Sequence, residues 1–307
     1  MISVIIINWN AGSQIYRCIE SVLQTDSSID KQIVVVDNGS IDGSDLIVEA
    51  IPEVSLIRTG HNMGFAKACN IGASYATGDY LLFLNPDTYL MNGALSTSVG
   101  FLKDDINKRF GVCGVQLINE QGHVARSCVH FPTLKSFTAV SIGLNQLFPR
   151  LGYHMTGWDH KTTIEVDHVI GAFYLVRRSV FEALAGFDER FFVYLEDLDF
   201  SYRARKLGWS IIYLAGVQTF HAGGGTSDQV KDKRLYYALR SRILYAFKHF
   251  NIFAALLVLL VTVIIEPVSR TILCCGRMSW KCFKETGSAY LLIFTWLPKW
   301  IFNGVTR

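Results

Sequence analysis

Asp87 stands in the stretch YLLFLNPDTYL, residues 80–90, directly after an apolar run that reads as a buried strand. Asn85 and Pro86 stop that run, so the chain carries a carboxylate to the mouth of a strand and ends the strand there. A carboxylate so placed can hold a divalent cation. Glu196, Asp197 and Asp199, in YLEDLDF, open a predicted helix. Capping accounts for one or two of them, because carboxylates are favoured at the positive end of a helix. A carboxylate beside a metal-bound pyrophosphate can also serve as general base toward a hydroxyl. His221 lies beside Gly223–Gly225 in TFHAGGGTS, read as a glycine-rich loop where backbone can come close to a ligand. Arg126, Arg177 and Arg178 have the chemistry to pair with phosphates, although singly each reads as a surface or ion-pair residue.

Alternating strands and helices position these groups. SVIIINW (3–9), QIVVVDN (32–38), VSLIRTG (54–60) and YLLFLN (80–85) read as strands. SQIYRCIESVLQ (13–24), SDLIVEAI (44–51) and FAKACNIGASYA (65–76) read as helices, the first with Ile15, Ile19, Val22 and Leu23 on one face. Strands without polar alternation, spaced by helices, predict a mostly parallel sheet covered on both faces. Ligands of such sheets bind beyond the carboxyl ends of the strands, where Asn8, Asp37 and Asp87 fall. Neither a GxGxxG after the first strand nor a GxxxxGK[ST] is present, which leaves a carboxylate-held metal as the way to carry a pyrophosphate. Further on, 170–184 reads as a strand entering a helix, about 196–206 as a helix and 210–214 as a strand.

Charge divides the chain. Residues 1–230 hold 17 basic and 23 acidic side chains, whereas residues 231–307 hold 12 and 3. A basic tail meets polyanions, nucleic acid or anionic lipid. Here the basic residues flank apolar runs rather than form a polar stripe, which argues against nucleic acid. IFAALLVLLVTVII (252–265) and AYLLIFTWLPKWIF (289–302) fall short of the ~20 residues that span a bilayer. They are expected to lie in or dip into the membrane interface, with a core helical hairpin as the alternative. The expected division is a catalytic domain over 1–230 and a membrane-associated tail over 231–307. MISVIIINWN has no basic leader and turns polar early, unlike a secretory signal. The seven cysteines form no CxxC pair and are expected to be free thiols in a reducing cytosol.

Six pieces taken together resemble the family 2 glycosyltransferases with a GT-A fold, specifically the bacterial rhamnosyltransferase-like group. They are SVIIINWNAG, VVVDNGSIDGS, HNMGFAKACNIG, GDYLLFLNPD, GAFYLVRRSVFEALAGFDERFFVYLEDLDFSYRARKLGW and FHAGGGTS, in the family's order over residues 1–230. The resemblance implies that Trp9, Asn10 and Asp37 hold the nucleotide, with Asn62, Gly64 and Asn70 closing over nucleotide and sugar. It makes Asn85-Pro86-Asp87 this group's form of DxD, with Asn85 in place of the first acid and Asp87 as ligand to Mg²⁺ or Mn²⁺. Glu196-Asp197 is similar to the family's ED pair, with Asp197 as catalytic base, and His221 matches a histidine that helps bind metal or diphosphate.

The implied reaction is a single inverting displacement from a nucleotide-sugar donor. ARSCVHFPT (125–133), which includes Arg126, is similar to a stretch in rhamnosyltransferases and favours dTDP-L-rhamnose over UDP-hexoses. Related sequences often carry Trp at the position of His168, so acceptor contacts are expected to differ there. The basic, apolar tail suits a polyprenyl-diphosphate-linked acceptor at the cytoplasmic face of the bacterial inner membrane. The absence of QxxRW after the ED pair argues against a processive synthase. A non-catalytic scaffold would be expected to have lost Asp87 or Asp197.

Overall fold

Four apolar runs come together first. β1 (Ile2–Asn8) is buried at all seven positions, and β4 (Tyr80–Leu84) at all five, so both are covered on two faces. β2 (Lys31–Asp37) and β3 (Val54–Arg58) complete a parallel set in the order β3-β2-β1-β4. The crossovers are α1 (Gln14–Gln24), α2 (Ser44–Glu49) and α3 (Phe65–Tyr75). In a computed structural model, which describes residues 1–223, 231–304 and 306, these elements belong to a first compact unit: Met1–His130, Trp158–Glu189 and Asp197–Thr226.

Beyond β4 the sheet becomes mixed. It adds β5 (Thr88–Leu90), β6 (Phe110–Ile118), β8 (Ile164–Val166), β10 (Phe173–Arg177) and β11 (Ser210–His221), while β7 (Cys128–Val129) and β9 (His168–Val169) pair separately. β10 lies antiparallel between β4 and β6, and β11 runs parallel to β6. β5, β8 and β10 therefore oppose the other six strands of this sheet, so the largely parallel reading holds with three reversed members. The helices α4 (Ala94–Lys103), α7 (Arg178–Ala183) and α8 (Glu196–Lys206) belong to the same unit apart from Glu196.

β11 is longer than the expected 210–214. Its register with β6 breaks between Leu214 and Gln218, and the strand then resumes, pairing Thr219, Phe220 and His221 with Leu90, Tyr89 and Thr88 of β5. Bulges of this kind bend a strand and re-aim its last residues. His221 thus ends a strand rather than sitting in a glycine-rich loop. Gly224 and Gly225 lie outside the described residues.

The second unit comprises Phe131–Gly157, Arg190–Glu196 and Ser227–Arg307. It holds α5 (Leu134–Ser141), α6 (Leu144–Leu147), α9 (Lys231–His249), α10 (Ile252–Leu260), α11 (Glu266–Gly276) and α12 (Trp280–Asn303). More than the tail beyond 230 clusters here, because Phe137 of α5 packs its ring against Tyr245 of α9, Phe250 and Tyr153. α10 and α11 are joined without a break by a π-helical turn, Val261–Ile265. Pro267 follows this π turn inside the continuous helix, where the regular i→i−4 ladder is already interrupted. The continuous run Ile252–Gly276 has 25 residues, long and apolar enough to cross a membrane, which corrects the expectation of a segment too short to span.

Two basic residues of this unit are interior rather than at a surface. Arg242 pairs with the buried Glu266, which Arg270 also engages at 2.7 Å. Arg240 is surrounded by the rings of Phe192, Tyr236, Tyr237 and Trp296. The cysteine expectation also changes. Cys274 and Cys282 form a disulfide between the last turn of α11 and the first of α12, with Cα atoms 5.5 Å apart. The tight turn between these helices brings both residues within bridging range. Cys18, Cys69, Cys113, Cys128 and Cys275 take part in no disulfide among the described residues.

Candidate active site

The rim is built from the ends of β1, β2 and β4. Asn8 closes β1 and is fully buried; its Nδ2 donates to Asp37 Oδ1 at 2.9 Å and to Ser40 and Ser44 Oγ. Asp37 Oδ2 accepts from the Ser40 N–H at 3.2 Å. Asp37 therefore braces the loop that follows β2. Asn10, at φ +52°, accepts from the Ile41 N–H at 2.8 Å and holds the other side of that loop. Trp9 lies between Asn8 and Asn10 and is half-buried.

Asn38 joins this rim to the next segment. It donates to Asn62 Oδ1 at 3.1 Å and to the Gly64 carbonyl, and accepts from the Met63 N–H at 2.9 Å. Gly39 permits this approach. Its φ is +79°, and a Cβ there would come within 2.6 Å of His61 backbone. Asn62 and Gly64 are thereby tied to the β2 end. Asn70 is engaged elsewhere: its amide donates to the Phe187 carbonyl and Glu189 and accepts from the Phe187 N–H. It latches the 187–189 loop, with both amide hydrogens engaged there.

One dipeptide organises the chemistry. The Ala172 carbonyl accepts from the Asn85 N–H at 3.1 Å, and the adjacent Gly171 N–H donates to Asp197 Oδ2 at 2.8 Å. The turn carrying Asn85-Pro86-Asp87 and the carboxylate of Asp197 are thus fixed to neighbouring peptide groups. On the other side, His221 Nε2 lies 3.4 Å from Asp87 Oδ1, and the Ala222 N–H donates to the Asp87 carbonyl at 3.1 Å. A cavity of about 290 Å³ opens here, lined by Asp87, Thr88, Gln14, Arg17 and Glu120, with the stacked rings of Tyr89 and Phe220 on its wall.

Asp197 is held with unusual completeness. Besides Gly171, the Leu198 N–H donates to Oδ1 at 2.8 Å, and His168 Nε2 faces Oδ2 at 3.5 Å. Burial pushes this carboxyl up, but the histidine and the two N–H donors outweigh it and hold it below the usual carboxylate range. Glu196 is buried at the start of α8. Asp199 has a structural role, since it pairs with Arg203 one turn on at 2.8 Å. The two residues before the pair, Tyr194 and Leu195, both take positive φ, +68° and +66°, an uncommon conformation for side-chain-bearing residues.

One expectation is corrected. Arg177 and Arg178 do not face the rim: Arg177 pairs with Tyr80 at the start of β4 and donates to the Phe110 and Leu102 carbonyls, while Arg178 donates to the Gly78 carbonyl at 2.6 Å. The antiparallel course of β10 carries them to the far end of the sheet. His168, where acceptor contacts were expected to differ from relatives carrying Trp, is 2 % exposed and turned toward Asp197. Arg126 is exposed in the loop before β7, with its charge near His160.

Asp87 and His221 supply one carboxylate oxygen and one imidazole nitrogen, a set that suits Mn²⁺ or Mg²⁺ completed by diphosphate oxygens and water. Among the described residues no cluster of three or more His, Cys, Asp or Glu forms a full protein cage. The pair fits a cation shared with a substrate.

The sheet has the GT-A fold of its solved neighbours, with a polar rim at the carboxyl ends of the strands. The glycosyl transferase family 2 profile matches residues 3–185, and the chain belongs to that family. It is a glycosyltransferase of the rhamnosyltransferase-like group. The N-acetylglucosaminyl-diphospho-decaprenol L-rhamnosyltransferase of Mycobacterium tuberculosis is 28% identical over 239 residues, covering 72% of this chain and 76% of that one. Rhamnosyltransferase WbbL of Escherichia coli is 27% identical over 198 residues, covering 61% and 71%. Among solved structures, mannosyltransferase PcManGT from Pyrobaculum calidifontis, in complex with GDP-Man and Mn²⁺, has a TM-score of 0.55 at 17% identity. That match covers 98% of this chain and 87% of that chain, a likeness of fold.

Proposed function

We propose that this protein is an inverting, metal-dependent glycosyltransferase that transfers one sugar onto a polyprenyl-diphosphate-linked saccharide in bacterial cell-surface polysaccharide assembly. The favoured donor is dTDP-L-rhamnose. Residues 1–230 form the catalytic domain, and the apolar, basic tail of residues 231–307 holds it at the cytoplasmic face of the inner membrane. The observation that carries the reading is the Gly171–Ala172 dipeptide, which fixes the Asp197 carboxylate and the Asn85–Asp87 turn to adjacent peptide groups.

In this reading Asp197 accepts the proton of the acceptor hydroxyl, and that oxygen attacks the anomeric carbon opposite the departing nucleotide diphosphate. One displacement inverts the configuration. Glu196 stands beside the base at the helix start. Trp9, Asn10 and Asp37 face the nucleotide, Asn62, Gly64 and Asn85 border the diphosphate and sugar, and Arg126 lies at the outer edge of the donor site. Asp87 and His221 would hold a divalent cation that supplies countercharge to the leaving diphosphate. The names of both relatives support the rhamnosyl donor, and that of the mycobacterial one also supports a lipid-linked acceptor.

The test is a donor panel. Purified protein with Mn²⁺ or Mg²⁺ and a polyprenyl-diphosphate-GlcNAc acceptor is given dTDP-rhamnose, UDP-hexoses or GDP-sugars in turn, and released nucleotide is measured. Release from dTDP-rhamnose alone, abolished in Asp197→Asn, supports the reading. Release from a UDP-hexose alone replaces the donor and keeps the reaction.

A further inference from the structure

A buried line of hydrogen-bonding groups runs back from Asp197. His168 Nδ1 lies 2.8 Å from Ser201 Oγ, and Ser201 Oγ lies 2.8 Å from the Tyr174 hydroxyl. Tyr174 and Ser201 are fully buried and His168 nearly so, whereas the Asp197 side chain keeps 17% of its surface exposed. The line is closed at the tyrosine and open at the carboxylate. It is drawn from three elements: His168 from β9, Tyr174 from β10, and Asp197 and Ser201 one turn apart on α8.

The polarity of the line follows from its ends. Burial pushes the Tyr174 hydroxyl far up, so it keeps its proton and can donate to Ser201. Ser201 then donates to His168 Nδ1, which leaves the imidazole proton on Nε2, facing Asp197 Oδ2. The opposite polarity would set the Nε2 lone pair against an ionised carboxylate, an unfavourable pairing. The other charges close by, Asp199 and Arg203 on α8, neutralise one another at 2.8 Å, and both bear on Tyr174. From β7, the residue paired with His168 is the apolar Val129.

We propose that His168 is the positioning residue of Asp197: its Nε2–H, braced by Ser201 and Tyr174, holds the carboxylate in one orientation toward the acceptor hydroxyl. The inference rests on Asp197 being the base. A histidine at a buried strand position has no reason of packing to be preferred over an apolar ring. Two backbone N–H groups fix the ends of the carboxylate, and the imidazole fixes its rotation about the side-chain axis. Misplacement of a reacting group by about 1 Å costs on the order of a hundredfold in rate.

The test uses the full chain with His168→Leu, His168→Gln and Ser201→Ala. Two quantities are read: kcat and donor KM across pH, and the titration of the Asp197 carboxyl by isotope-edited infrared difference spectroscopy against Asp197→Asn. In His168→Leu, kcat is expected to fall about ten- to a hundredfold with donor KM within about twofold, and the carboxyl to titrate at higher pH. His168→Gln, whose amide N–H can replace Nε2–H, recovers most of the loss, and Ser201→Ala moves both readings the same way by less. Unchanged kcat and carboxyl titration in His168→Leu overturn the proposal. Should that variant fail to fold, Ser201→Ala without any change, or His168→Gln with neither the recovered rate nor the low titration, does the same. Full activity in Asp197→Asn would instead sink the base assignment, while the infrared titration still reports whether His168 governs the carboxyl.

Discussion

The two carboxylates of the rim are held in opposite ways. Asp197 accepts from two backbone N–H groups and faces an imidazole anchored from behind. Among the described residues, the Asp87 carboxylate meets only His221, at 3.4 Å. A group that must take a proton in one direction gains from fixed partners, because reorganisation during the reaction is then small. A group that must receive a cation gains from open coordination positions. Under the proposed mechanism, the same residue type would serve two tasks through the number of its pre-committed partners.

The largest effect expected is from Asp197→Asn, which removes proton acceptance and keeps the shape. It should lower kcat about a thousandfold with donor KM nearly unchanged. A loss of only a few-fold would mean the fixed carboxylate is structural, and the contrast would collapse. Asp87→Asn should act on binding. Donor affinity, measured calorimetrically with Mn²⁺, should fall about a hundredfold, with His221→Gln costing about tenfold and neither altering Mn²⁺-free donor binding. Equal losses with and without Mn²⁺ would deny Asp87 its open role.

A smaller effect should follow from Gly171→Ala. The added Cβ would lie 3.1 Å from Asp197 Oδ2, and kcat should drop about tenfold as the carboxylate yields. Unchanged kcat would show the carboxylate to be less fixed than its partners suggest. The smallest effect concerns acid stability. The Asp197 carboxyl titrates below its ordinary range in the folded chain, so its stabilisation is fully present above the unfolded value of about 3.9 and is lost as pH falls through the folded value. Melting temperature should therefore decline more steeply between about pH 4 and pH 3 in the wild type than in Asp197→Asn. Parallel curves would remove the distinction.

The first four strands were legible because each is a continuous apolar run, and the rim was legible because Asn8, Asp37 and Asp87 break those runs at the same end. The ED pair stood out as acids following an aromatic stretch. What stayed hidden depends on contacts between distant positions. Tyr174 and Ser201 read as ordinary core and helix residues, and His168 only as a departure from Trp, until three elements bring them into line. The last part of β11 was hidden by its own bulge, since the irregular stretch before Gln218 breaks the strand's apolar pattern. The apolar run 252–265 looked too short to span because the helix continues past it through the π turn into α11. Cys274 and Cys282 form no recognisable spacing motif and meet only because their two helices are joined by a tight turn.

Gly171 and Ala172 carry a consequence for selectivity. In the proposed mechanism their peptide groups would act as a ruler one residue long between the turn bordering the donor and the group activating the acceptor. A donor that tilts the Asn85–Asp87 turn would pull on the Ala172 carbonyl and, through the next peptide plane, on Asp197. Such a sugar could still be bound, but it would arrive at a base drawn off line. Discrimination among donors would then be exercised as slow turnover of the wrong sugar, with the fit of one end of the site read out at the other.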